Sequence, residues 1–126
     1  MSGMPGVRRF EDLTCWQEAR ELSRAIERWI ASNTISDSNL IDQLRRSSLS
    51  VQVNIGEGFE RFGHRDFHRF LAISKGSLAE VRALLFAASD RGVLDPTTHE
   101  DLASRAELLA KRISHLMKHL RRSKSR

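Results

Sequence analysis

Asn54, Glu57 and Glu80 are the side chains best suited to acid–base chemistry, since two carboxylates on adjacent helices can divide proton donation and acceptance. No nucleophile, cofactor loop or pocket motif accompanies them. If the chain folds back at Gly63, Glu57 falls near Arg69 and several turns from Glu80, so the pair does not converge. His64 with His68, and His115 with His119, form two i,i+4 pairs that could offer imidazoles to zinc. The second pair lies off the apolar seam and among cations, which repel a metal ion, so no metal is expected. The run from Gly56 to Gly63 resembles a phosphate loop only in its glycines. It lacks the G-x-G-x-x-G spacing, a preceding strand and a terminal G-K-S/T. These residues point to no enzyme and no cofactor, and no small-molecule substrate is expected.

The cations are a different matter. The chain has 126 residues and a net charge of +5, but the basicity is concentrated at one end. From Lys111 onward it carries Lys111, Arg112, Lys118, Arg121, Arg122, Lys124 and Arg126 with no acid, while the rest is slightly acidic. Cations near a helix C-terminus favour the macrodipole, yet seven without one acid exceed that need. Arg112, Lys118, Arg121, Arg122, Lys124 and Arg126 are therefore the candidate nucleic-acid contacts, directed at RNA or DNA phosphates with little sequence readout.

Such residues need helices to position them. The length fits one domain able to bury a core without staples. A single cysteine, Cys15, excludes an internal disulfide and reads as an apolar filler, which agrees with a cytoplasmic protein. No apolar run approaches the ~20 residues of a membrane span, and no membrane partner is expected. A first helix is predicted from about Thr14 to Ser32, with Thr14 and Gln17 as a capping box. A second follows Asp37 to about Arg61, with the seam Ile41, Leu44, Ser48, Val51, Ile55, Gly58, Phe62. A third runs from His64 to a terminal Gly92, its cap resting on backbone and Asp66. A fourth starts at Thr97, capped by Thr97 and Glu100. Short connections force antiparallel neighbours, which gives an all-α, up-down-up-down four-helix bundle. The bundle occupies residues 13–121, between a flexible segment at 1–12 and a basic tail at 122–126. Folding back at Gly63 sets Ser48 opposite Leu78 and Val51 opposite Ser74, and brings Glu80 beside Arg45 and Arg46 as an interhelical ion pair.

A second apolar face breaks the pattern of a monomer. Helix three carries Ala72, Gly76, Ala79, Ala83 and Phe86 roughly opposite its core seam, and helix two places Leu49, Val53 and Gly56 off its own. Leu49, Val53 and Phe86 gain nothing from helix propensity while exposed, so a homo-oligomer that meets through helices two and three is expected.

The patterns F-x-D-L-x-x-W-x-x-A (Phe10, Asp12, Leu13, Trp16, Ala19) and S-V-x-x-N-I-x-E-G (Ser50, Val51, Asn54, Ile55, Glu57, Gly58) recur in a known family. So does F-x-x-F-L-x-I-x-x-G-S-L-x-E, here Phe67, Phe70, Leu71, Ile73, Gly76, Ser77, Leu78 and Glu80. From Phe10 to about Leu94 the chain resembles the four-helix-bundle proteins encoded by large-subunit ribosomal RNA intervening sequences. These are similar to the basic accessory protein of diversity-generating retroelements. The resemblance implies a cytoplasmic, non-enzymatic bundle that assembles as a ring-like pentamer, with nucleic acid as partner and Asn54, Glu57, Gly58, Gly76, Ser77 and Glu80 as the family motif. The chain departs from the family at Gly63, where Ser or Thr often caps helix three, and at Gly56, usually Ala. The expectation is an oligomeric, non-catalytic protein that binds nucleic-acid backbone. The competing expectation is a protein–protein scaffold whose basic tail serves only solubility.

Overall fold

The computed structural model describes residues 4–122. A 3₁₀ turn at Phe10–Asp12 leads into α1 (Thr14–Ala31), α2 (Ser38–Glu60), α3 (His64–Asp90) and α4 (Pro96–Arg122). Consecutive helices pack against each other and α4 closes onto α1, while the backbones of neither diagonal pair come within 8 Å between Cα atoms. The section is therefore a square: α1 lies opposite α3, and α2 opposite α4. This is the antiparallel four-helix bundle expected from the hydrophobic periodicity.

The core forms where the four seams meet. Ile26, Leu44, Leu71 and Leu109, one from each helix, are wholly buried, and each stabilises the fold by about 1.5–3 kcal/mol through loss of apolar surface to water. Phe67 fills the α3 side, its ring meeting Phe59 edge-on at 5.9 Å between centroids.

The ends are set by local chemistry. Asp37 caps α2 by accepting from Leu40 N at 3.1 Å, and its other oxygen pairs with Arg91 across the same end of the bundle. Gly63 starts α3 from φ 98°, and Gly92 ends it at φ 74°. Gly92 N donates to Ser89 O at 3.0 Å and Val93 N to Ala88 O at 3.1 Å, a Schellman closure at the predicted terminal glycine.

Several expectations give way. No Thr14–Gln17 box forms: α1 has no side-chain cap, and Gln17 Nε2 instead donates to Glu11 O at 2.8 Å. α4 begins one residue early and is capped by Asp95, which accepts from Thr98 N at 3.0 Å, so Thr97 is not the cap. Hydrogen bonds from Thr98 hold the Asp95 carboxyl below its ordinary range. Asp66 does not cap α3 and pairs with Arg69. Phe62 is 82% exposed because α2 ends at Glu60, before the seam reaches it. Ahead of α1, Met4, Val7 and Phe10 are partly buried against the core.

Candidate nucleic-acid interface

The chain crosses from α2 to α3 in three residues, so the two helices lie close along their whole length. Ser74 Oγ donates to Val51 O at 2.6 Å and Ser50 Oγ meets Ser77 Oγ at 2.7 Å, in the register predicted by folding back at Gly63. Asn54 Nδ2 donates to Ser50 O at 2.9 Å and Ser50 Oγ at 3.1 Å, which holds that hydroxyl in place. Gly58 permits the approach: a Cβ there would lie 2.7 Å from Phe70 Cβ. Asn54, Gly58 and Ser77 are therefore explained inside one subunit.

Glu57, Gly76 and Glu80 are not. Glu57 is exposed and pairs with Arg61 on its own helix at 3.3 Å. Glu80 is exposed and forms no ion pair among the described residues. The expected partner, Arg45, pairs with Glu27 of α1 at 2.7 Å instead, since α2 turns that side chain toward α1 rather than α3. A Cβ on Gly76 would meet nothing within 4 Å. The two carboxylates thus do not converge into an acid–base pair. Cys15 is no nucleophile either: burial pushes its thiol up to about 12. Among the described residues no group of three or more His, Cys, Asp or Glu side chains is placed to hold a metal ion.

The structure sorts the α4 cations into two sets. Arg112 Nε lies 2.6 Å from Glu18 Oε1 of α1, a charge contact approached side-on rather than along an aligned N–H. Arg121 Nη1 donates to His68 Nε2 of α3 at 3.2 Å. These two arginines fasten α4 to its neighbours. Lys118 and Arg122 are exposed and form no ion pair with described residues, and the same holds for Lys111. Lys111, His115, Lys118 and Arg122 follow each other at four–three–four spacing, so they share one face of α4 over about 16 Å. Lys124 and Arg126 lie outside the described residues. Lys111 and His115 were not among the candidate contacts, although their spacing from Lys118 could have placed them there.

Beside that stripe a groove of about 420 Å³ runs between α1 and α4. Val7, Leu13, Cys15 and Leu116 give it an apolar lining, half-exposed Leu108 stands at its rim, and Lys111 and Arg112 supply cationic character beside His115.

The expected interface residues Leu49, Val53, Ala72, Gly76, Ala79, Ala83 and Phe86 are all exposed, but they do not make one patch. Leu49 and Val53 line a hollow of about 380 Å³ with Phe10, Trp16 and Gly56, on the α1–α2 side. Gly56 is buried, and a Cβ there would lie 3.5 Å from the Phe10 ring, an ordinary contact. Phe86 turns the other way and meets His99 of α4 edge-on at 4.8 Å between centroids.

The family model of 23S rRNA-intervening sequence proteins matches residues 11–115, most of the described bundle. The chain belongs to that family. No curated protein matches it. The family description names no enzyme class, and it links the chain to ribosomal RNA without stating a ligand. As a member of this family the chain is matched over the whole of α2 and α3, and the match stops within the stripe of α4, at His115. None of the described helices is long and apolar enough to cross a membrane.

Proposed function

We propose that this protein binds RNA through the phosphate backbone, along the stripe Lys111, His115, Lys118 and Arg122, as an assembled homo-oligomer that carries out no chemistry on its partner. The observation that carries the reading is that exposed Lys111, Lys118 and Arg122 on one face of α4 form no ion pair among the described residues, while Arg112 and Arg121 contact Glu18 and His68. Lys124 and Arg126 extend the same charge in sequence. Cations arranged along a helix face attract phosphates and read little sequence.

Two separated apolar patches support the assembly. A head-to-tail contact joins two different patches and gives a ring where the rotation between copies closes, whereas one self-complementary patch makes a dimer. Leu49 and Val53 on one side and Phe86 on the other supply two such patches, which fits the pentameric ring implied by the family. The α1–α4 face, with the stripe, stays open to solvent in that arrangement.

Affinity for a structured RNA, measured against salt concentration, tests the reading. Exchange of both Lys118 and Arg122 for Glu should weaken binding strongly and flatten the salt dependence by roughly 0.7–0.9 log units per lost phosphate contact. An unchanged slope would end the assignment. The scaffold reading draws on the same apolar patches, and capture of a protein partner that survives nuclease treatment would favour it.

A further inference from the structure

We propose that the groove between α1 and α4 receives an unpaired nucleobase of the bound RNA. The inference rests on the backbone-binding reading and narrows its ligand from RNA in general to RNA with a bulged or single-stranded nucleotide.

Lys111 and His115 belong to both features: they stand in the stripe and they line the groove. A phosphate held by the stripe therefore brings its own base to the groove mouth. Duplex RNA keeps its bases stacked behind a deep, narrow major groove, so side chains reach them only where they are unpaired. The lining suits a flat, largely apolar ring. Val7, Leu13 and Leu116 form the apolar surface, and Leu108 is 49% exposed at the rim, which leaves hydrocarbon in water until something covers it. The volume lies within the roughly 300–1,000 Å³ of small-molecule sites. The Arg112 guanidinium, held by Glu18, offers a fixed plane on which a base can stack.

Asp12 explains why a base rather than a phosphate belongs there. Its Oδ2 accepts from Arg8 N at 3.0 Å and Arg9 N at 3.2 Å, and these bonds hold the carboxyl below its ordinary range. The charged group remains on the groove wall with Oδ1 unused by any described residue, and at its own end of the groove, away from Lys111 and Arg112 of α4, it favours an N–H of a base edge over a phosphate oxygen. Every base offers such a donor, so no sequence preference is expected.

The test uses the full chain and two hairpin RNAs of matched sequence. One is fully paired, and the other carries a single bulged 2-aminopurine. The bulged RNA should bind about tenfold tighter at low salt, with a change in probe fluorescence. Leu108→Trp, which fills the groove from its exposed rim, should bring the bulged RNA to the affinity of the paired one and leave the paired one unchanged. Equal affinities in the wild-type protein, with no fluorescence change, would overturn the groove assignment and leave the stripe intact. If neither RNA binds, the backbone reading itself is overturned. Decanoate that binds wild type and not Leu108→Trp, without any bulge preference, would assign the groove to an amphipathic anion instead.

Discussion

Gly58 lies in the seam of the α2–α3 pair and Gly76 on the outer side of α3, and the two meet opposite surroundings. Gly58 is buried against Phe67 and Phe70, with no room for a Cβ, and Gly76 faces open space on the outer side of α3. Each belongs to one of the two central blocks on which the family resemblance rests, yet only the first is needed to close the subunit. The seam is sealed by hydroxyls and a glycine that let two helices approach. The outer flank spends helix stability on a glycine with no return inside the subunit. Two glycines of neighbouring helices therefore differ in what the subunit itself asks of them: Gly58 is required by packing within the chain and Gly76 is not.

The largest effect that could break this contrast is at Gly58. Gly58→Ala should destabilise the fold by about 1–3 kcal/mol in urea unfolding, because the atom it would strike is the Phe70 Cβ, fixed to the backbone. A neutral result would mean that the seam is loose. Ser74→Ala comes next. It removes a wholly buried hydroxyl that donates to Val51 O, at a cost of about 1 kcal/mol. The smallest effect has the opposite sign. Gly76→Ala should stabilise each subunit by about 0.5–1 kcal/mol, since α3 gains helix propensity and the methyl meets nothing. Gly76→Leu then separates propensity from contact. It should lower the sedimentation coefficient if the outer flank packs against a second copy, and an unchanged profile would remove that flank from the assembly.

Much of this was legible in the residues. Four helices follow from apolar periodicity, and the α2–α3 register follows from a short turn at Gly63, which is why Val51 and Ser74 could be paired in advance. Caps were less legible. Asp95 and Thr97 both offer side-chain oxygens near the start of α4, and only the backbone geometry chose Asp95. Phe62 extended a heptad on paper, but α2 stops at Glu60 and leaves the ring in water. Arg45 was assigned to Glu80 by sequence distance alone, whereas its side chain leaves α2 on the α1 side and finds Glu27.

The candidate site was legible as a charge excess and not as a surface. Counting shows a basic end but cannot tell a cation that braces the bundle from one that is free to meet a ligand. Sequence by itself determined the helical class, the antiparallel order and the end of the bundle that carries the charge, because these depend on periodicity and connection length, both local properties. Only the tertiary structure decided that Arg112 and Arg121 are committed to Glu18 and His68, that Lys111 and His115 line a groove, and that the two apolar patches face different ways. Those outcomes depend on how each helix is rotated against its neighbours, which close packing of the whole core sets and no single segment encodes.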